Sequence, residues 1–205
     1  MKIQLALDRM TIEEAIETAS KAAPYVDILE TGTSLIKEFG MTSVQKLKEA
    51  FPDKQVTADM KTMDNAVYEC GLCFDAGADI MTVMGASPIQ TVEACVKEAE
   101  KRGKQVMIDL LNTTAEQREE LAVFKHAVFC EHVSKDEQEL TGARLTFTEG
   151  RLNTAAAGGL TPESISRMNE LPDILIIGSA ITKAENPGLA AANLRTLILE
   201  KEAMK

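Results

Sequence analysis

Short apolar runs alternate with amphipathic runs along the whole chain. Runs at Ile3–Leu7, Val26–Leu29, Gln55–Ala58, Ile80–Val83, Gln105–Ile108, Val128–Cys130, Thr154–Ala156 and Ile174–Ile177 predict eight strands. They are apolar at successive positions rather than strictly alternating, as expected for strands covered on both faces. Between them, helical spacing predicts helices over Thr11–Ala22, Thr42–Ala50, Asn65–Ala76, Ile89–Arg102, Ala115–Val123, Pro162–Leu171 and Pro187–Lys201. Thr11 with Glu14 three residues on reads as a capping box. Gly77 and Gly103 close two helices, and Thr161-Pro162 opens another. From Asp136 to Asn153, where a sixth helix belongs, Gly142 and Gly150 predict a short or irregular one.

Eight strand–helix units in 205 residues predict one compact (β/α)₈ TIM barrel spanning 1–205 as a single domain. The rival is an open doubly wound sheet. Polar residues at the C-terminal ends of nearly every predicted strand favour the barrel, as do glycine loops after the seventh and eighth. No repeat beyond the strand–helix unit, no low-complexity segment and no linker is read.

Composition narrows the partners. With 32 acidic against 22 basic residues and a net charge of −10, the chain lacks the clustered cations that nucleic-acid binding needs. No apolar run approaches a membrane span, and the N-terminal segment meets charge at Asp8, unlike a signal peptide, so a cytoplasmic location is expected. Of four cysteines, Cys70 and Cys73 form a C-x-x-C. Their spacing on a predicted helix puts both on one face, which favours core packing over metal or redox chemistry.

The predicted strand ends gather Asp8, Glu30, Asp59, Asp109 and Glu131-His132, with Lys61 and Asp64 just beyond the third. Capping explains one or two carboxylates, but not Lys61 or His132. In Asp59-x-Lys61, alternation points both side chains the same way. An ammonium between carboxylates keeps its proton and can stabilise an oxyanion or deliver a proton. Asp64 could orient Lys61 from its own chain or from a neighbouring one. Glu30 and Asp59, on neighbouring strands, could share Mg²⁺, or each could pair with a cation or backbone amide. Gly158-Gly159 and Gly178-Ser179, each ahead of a helix, suit a phosphate monoester. His132 suits acid/base work.

These residues lie in LALD (Leu5–Asp8), ETGT (Glu30–Thr33), ADMKTMD (Ala58–Asp64), DAGAD (Asp75–Asp79), TVMGA (Thr82–Ala86), HVSKDEQ (His132–Gln138), AGGL (Ala157–Leu160) and GSAIT (Gly178–Thr182). In this collinear set the chain resembles the 3-hexulose-6-phosphate synthases of the orotidine 5′-phosphate decarboxylase suprafamily. The resemblance implies a (β/α)₈ homodimer with active sites at the interface. It implies an aldehyde-lyase that condenses ribulose 5-phosphate with formaldehyde, using Mg²⁺ on Glu30 and Asp59. Lys61 would lie near the enediolate oxygens, Asp64 would be contributed across the dimer, and His132 would be the acid/base. Gly158, Gly159, Gly178 and Ser179 would bind phosphate, and Asp8 and Asp109 would contact substrate.

Departures from that pattern point two ways. The family commonly shows H-x-G-x-D after the sixth strand, and here Ser134 takes the glycine's place, followed by Lys135. The related 3-keto-L-gulonate 6-phosphate decarboxylases carry a cation at the place of Lys135 and usually Glu at that of Asp109. Asp109 therefore leans to the synthase and Lys135 to the decarboxylase. Orotidine 5′-phosphate decarboxylase itself typically has an arginine near the last phosphate loop, where this chain reads Gly178-Ser179-Ala180. A non-catalytic sugar-phosphate sensor is the reading from another class, against which Asp59, Lys61 and Asp64 argue. The His132–Gly158 segment is a few residues shorter than is usual in the family.

Overall fold

A computed structural model describes residues 1–141 and 153–203. Eight parallel strands, β1 (Lys2–Leu7), β2 (Ile28–Thr31), β3 (Gln55–Thr62), β4 (Ile80–Met84), β5 (Gln105–Asp109), β6 (Val128–His132), β7 (Thr154–Ala157) and β8 (Ile174–Ile177), pair in sequence order. β8 returns to β1 with Lys2 opposite Ile174, so the sheet closes into a barrel and the open doubly wound alternative falls. The helices are α1 (Ile12–Ala22), α2 (Thr33–Phe39), α3 (Met41–Ala50), α4 (Ala66–Asp75), α5 (Ile89–Lys101), α6 (Ala115–Leu121), α7 (Lys135–Thr141), α8 (Pro162–Arg167), α9 (Ser179–Thr182) and α10 (Pro187–Ala203).

The connection after β2 differs from expectation. One helix over Thr42–Ala50 was expected there, but α2 precedes α3, and Gly40, with φ +61°, turns the chain between them. α2 buries only Leu35 and Ile36, too few positions for a helical period to show in the sequence. α8 also stops at Arg167, short of the expected Leu171. α7 is the short helix expected between β6 and β7, and residues 142–152 of that stretch lie outside the described residues. The expected capping box of α1 (Thr11/Glu14) forms, Thr161 caps α8 ahead of Pro162 as expected and does so in a box with Ser164, and α6 has a further box between Thr114 and Gln117.

Two apolar clusters hold the fold. The larger packs the outer faces of the strands against the helices and includes Leu5, Leu29, Val56, Met81, Ile108 and Leu175, with the buried, unbridged thiols of Cys70, Cys73 and Cys95. The smaller, drawn from alternate strand positions, fills the barrel with Ile28, Ile80, Met107, Val128, Cys130, Ile174 and Ile176. Full burial of each such aliphatic side chain contributes roughly 1.5–3 kcal/mol. The polar strand-end residues thus stand on an apolar floor.

The N-terminal face carries a latch that occurs three times. Asp27, Asp79 and Asp173 each immediately precede an even-numbered strand. Each accepts a hydrogen bond from a backbone N–H near the start of the preceding odd strand: Ile3 N at 2.7 Å, Val56 N at 3.0 Å and Thr154 N at 2.7 Å. The three sites read Asp-Ile-Leu, Asp-Ile-Met and Asp-Ile-Leu. The device recurs ahead of β2, β4 and β8 at unequal spacing along the chain. Residues on this face secure the barrel and leave the opposite face for chemistry.

Candidate active site

The end of β3 is irregular, and that irregularity builds the site. Its register against β4 passes from Ala58 opposite Met81 to Thr62 opposite Val83, so four steps on β3 span two on β4. The extra length is taken up around Lys61, whose φ of +51° is left-handed. That conformation costs a non-glycine residue about 1–2 kcal/mol. A hydrogen bond from Lys61 N to Thr82 Oγ1 at 2.8 Å and the ion pairs of its side chain offset it. Lys61 Nζ lies 2.9 and 2.8 Å from the two carboxylate oxygens of Asp59 and 3.3 Å from Asp109 Oδ2. Asp59 and Lys61 do share a side, as alternation predicts, but through a bulge rather than a regular strand.

Each carboxylate is further held. Asp59 accepts hydrogen bonds from Thr82 Oγ1 at 2.9 Å and from Thr33 Oγ1. Asp109 Oδ1 accepts Leu111 N at 2.9 Å, and its Oδ2 lies 2.8 Å from His132 Nδ1. Burial pushes the Asp109 carboxyl up, but the hydrogen bond to His132 and the charges of His132 and Lys61 outweigh it and keep the group below the usual carboxylate range. An ionised Asp109 only accepts, so Nδ1 carries the proton and Nε2 is the imidazole's free basic nitrogen. Burial also pulls Lys61 down, but Asp59 and Asp109 more than reverse it, and the ammonium stays charged well above its ordinary range.

Glu30 is the strained member. It is buried beside Asp59, and desolvation followed by the Asp59 charge raises its carboxyl to about 8, against the opposing Gln4 hydrogen bond and Lys61 charge. Gln4 Nε2 donates to Glu30 Oε2 at 2.7 Å, and Thr57 Oγ1 donates to Gln4 Oε1 at 3.3 Å. Among the described residues nothing donates to Glu30 Oε1. Two adjacent buried carboxylates with one oxygen unengaged fit a hard divalent cation that keeps waters of its own. Among the described residues no third His, Cys, Asp or Glu joins them in a metal-holding cluster.

The rest of the rim lines one cavity of about 830 Å³, shared by Asp8, Glu30, Asp59, Lys61, Asp109 and His132 with Gly158, Gly159, Gly178 and Ser179. Asp8 accepts from Ser34 N at 2.9 Å and Ser34 Oγ at 2.6 Å. It sits so close to Gly32 that a β-carbon there would lie 2.3 Å from Asp8 Cγ. After β7, Gly158 and Gly159 adopt φ +108° and +65°. Among the described residues the N–H groups of Gly159 and Leu160, and of Ser179 and Ala180 at the start of α9, donate to no protein acceptor. Free amides beside a cavity suit an anion.

Asp64 is a correction within the single chain. Among the described residues it is exposed, accepts only from Asn65 N at 2.7 Å, and neither lines the cavity nor touches Lys61. Glu131 points away, paired with Arg118 at 2.7 Å. The sequence reading missed Thr33, Thr82, Gln4 and Gln138. Thr82 and Gln4 do occupy the inward-facing alternation of their strands, the one signal that could have found them.

A closed barrel with its ionisable groups and free amides gathered at the C-terminal rim is the architecture of a barrel enzyme acting on a small anionic molecule. The chain belongs to the Orotidine 5'-phosphate decarboxylase / HUMPS family, whose model matches residues 1–194. It is 34% identical to a 3-hexulose-6-phosphate synthase of Bacillus subtilis, over 98% of this chain and all of that one. A 3-hexulose-6-phosphate synthase structure from Salmonella typhimurium superposes with a TM-score of 0.89 at 31% identity, covering 98% of this chain and 100% of that one. A 3-keto-L-gulonate-6-phosphate decarboxylase from Vibrio cholerae gives 0.82 at 30%, covering 97% of each. The chain is an enzyme of the synthase type within this family, and no helix among the described residues is long and apolar enough to cross a membrane.

Proposed function

We propose that this enzyme is a cytoplasmic aldehyde-lyase that joins ribulose 5-phosphate to formaldehyde, giving 3-hexulose 6-phosphate. The observation that carries the reading is Asp109, whose one oxygen is shared by Lys61 Nζ at 3.3 Å and His132 Nδ1 at 2.8 Å. That arrangement puts an ammonium and an imidazole oriented through Nδ1 on one wall of the cavity. A proton leaves C1 of the ketose to a base, with His132 Nε2 the candidate. The ketone becomes an enediolate, and Lys61 stabilises its oxygen. C1 then forms a bond to the formaldehyde carbon, the ketone is restored, and the former aldehyde oxygen takes a proton. A Lys61 ammonium ringed by carboxylates stays protonated and forms no Schiff base.

Mg²⁺ held by Glu30 and Asp59 would supply further positive charge to the developing oxyanion. Asp8 and Asp109 would contact the sugar hydroxyls, and the amides around Gly158, Gly159, Gly178 and Ser179 would hold the phosphate. We also propose a homodimer. Met63, Val67, Tyr68 and Leu72 expose apolar surface around the β3–α4 connection that carries the outlying Asp64, and a second copy seated there would cover them and bring Asp64 to its neighbour's site.

Lys135 lines the cavity, which favours the decarboxylase of a keto-sugar acid phosphate as the second reading. The test is purified protein with Mg²⁺, ribulose 5-phosphate and formaldehyde. Formaldehyde loss that needs both sugar phosphate and metal supports the synthase, whereas no loss together with CO₂ release from 3-keto-L-gulonate 6-phosphate selects the decarboxylase.

A further inference from the structure

Beside the acid/base histidine, the β6–α7 and β7–α8 loops are fitted together more tightly than ordinary packing allows a side chain to enter. Val133, the residue after His132, donates its N–H to Ala157 O at 3.3 Å. A β-carbon on Gly158 would come within 2.4 Å of Val133 O, so only glycine lets the two backbones meet. One side chain spans the joint. Ser134 and Glu137 cap α7 reciprocally, with Glu137 N donating to Ser134 Oγ at 3.1 Å and Ser134 N to Glu137 Oε2 at 3.1 Å. This cap starts the helix so that Gln138, one position later, folds back over the joint. Gln138 Nε2 donates to Val133 O at 2.7 Å. Its Oε1 lies 2.5 Å from where a β-carbon on Gly159 would stand. Gln138 therefore touches both the backbone that carries His132 and the glycine pair whose amides are free for an anion.

We propose that Gln138 is a positioning residue that couples occupancy of the Gly158-Gly159 amides to the placement of His132. The inference rests on reading the cavity as a sugar-phosphate site. A phosphate drawn onto the glycine amides fixes that loop. Gln138 and the Val133 carbonyl transmit the fixed position to the residue before Val133, so the imidazole is set for proton transfer only when the correct end of the substrate is seated. In this role Gln138 makes no contact with the reacting carbon.

The chain has two histidines, so imidazole resonances are assignable by removing His126. Inorganic phosphate is titrated into the His126→Gln protein while the ¹⁵N imidazole signals of His132 are followed, and then again with Gln138→Met or Gln138→Ala added. Met keeps the length and removes the hydrogen bond to Val133 O and the amide oxygen beside Gly159, and Ala guards against a packing artefact, with circular dichroism confirming the fold of each. Phosphate is expected to move the His132 signals in the parent and to leave them unmoved in both variants. With ribulose 5-phosphate and formaldehyde, kcat is expected to fall about tenfold in each variant, while KM changes less than threefold. A His132 response in the variants equal to the parent's, an unchanged kcat, or a parent whose His132 ignores phosphate while turning over the sugar phosphate overturns the coupling. A parent that shifts its His132 signals with phosphate but consumes no formaldehyde instead overturns the synthase reading and leaves the coupling standing.

Discussion

Asp109 and His132 sit on adjacent strands with Oδ2 and Nδ1 2.8 Å apart, and the same oxygen lies 3.3 Å from Lys61 Nζ. One carboxylate thus fixes the tautomer of the imidazole and the position of the ammonium. Asp109→Asn removes the charge that both require, and its amide can present N–H to Nδ1 and invert the tautomer. Turnover is expected to fall at least about 10²-fold, the usual scale for losing an acid/base group. Steady-state kinetics beside a melting curve check this, and an unchanged kcat would remove Asp109 from the proton-transfer apparatus.

Lys61 is the only ammonium paired with Asp59 among the described residues. Lys61→Ala leaves the Asp59, Asp109 and Glu30 carboxyls without their cation and the oxyanion without its donor. Formaldehyde consumption is expected to drop below detection while the far-ultraviolet circular dichroism stays that of the parent. Wild-type-like activity in a folded variant would sink the mechanism.

Glu30 is held up at about 8 by burial and by Asp59, against the hydrogen bond from Gln4 and the charge of Lys61. A divalent cation relieves that crowding. Treatment with EDTA should abolish turnover and added Mg²⁺ should restore it. Glu30→Gln, which keeps the shape and the contact with Gln4, should lose the restoration. Full rate in metal-free buffer would remove the metal from the proposal.

The barrel was readable because its evidence is distributed. Eight apolar runs and their intervening helical periods, each weak alone, agree on one closed sheet. The rim residues were readable because charge at the end of an apolar strand is costly unless it is used. What escaped was local and three-dimensional. The bulge at Lys61 leaves no trace in period-two alternation, and α2 shows only two adjacent buried residues. Gln138 acts through a folded-back side chain, which spacing does not encode. Asp64 reads as part of the cluster along the chain, but the turn at Asn65, with φ +58°, leaves it exposed outside the cavity.

The three-aspartate latch gives a prediction far from the chemistry. Asp79 joins three elements: it accepts Val56 N at 3.0 Å, Lys48 Nζ of α3 at 3.0 Å and Lys104 Nζ ahead of β5 at 2.8 Å. Partial burial pushes its carboxyl up, but the hydrogen bonds from Lys104, Lys48 and Val56 overcome this and hold it below the ordinary value. A carboxyl whose folded-state value is depressed contributes stability above its unfolded value of about 3.9, and loses it as pH falls through the folded one. Asp79→Asn keeps an acceptor for Val56 but deletes both charged pairs, and should cost about 1–2 kcal/mol at pH 7. That penalty should shrink at an acidic pH below the ordinary carboxylate value of about 3.9, where the unfolded chain has taken its proton and the folded carboxylate, held lower, follows as the pH falls further. Urea unfolding of both proteins at the two pH values measures it. A penalty equal at both would assign the latch to shape rather than charge, and the lysines would then be ornaments of the fold rather than its fastening.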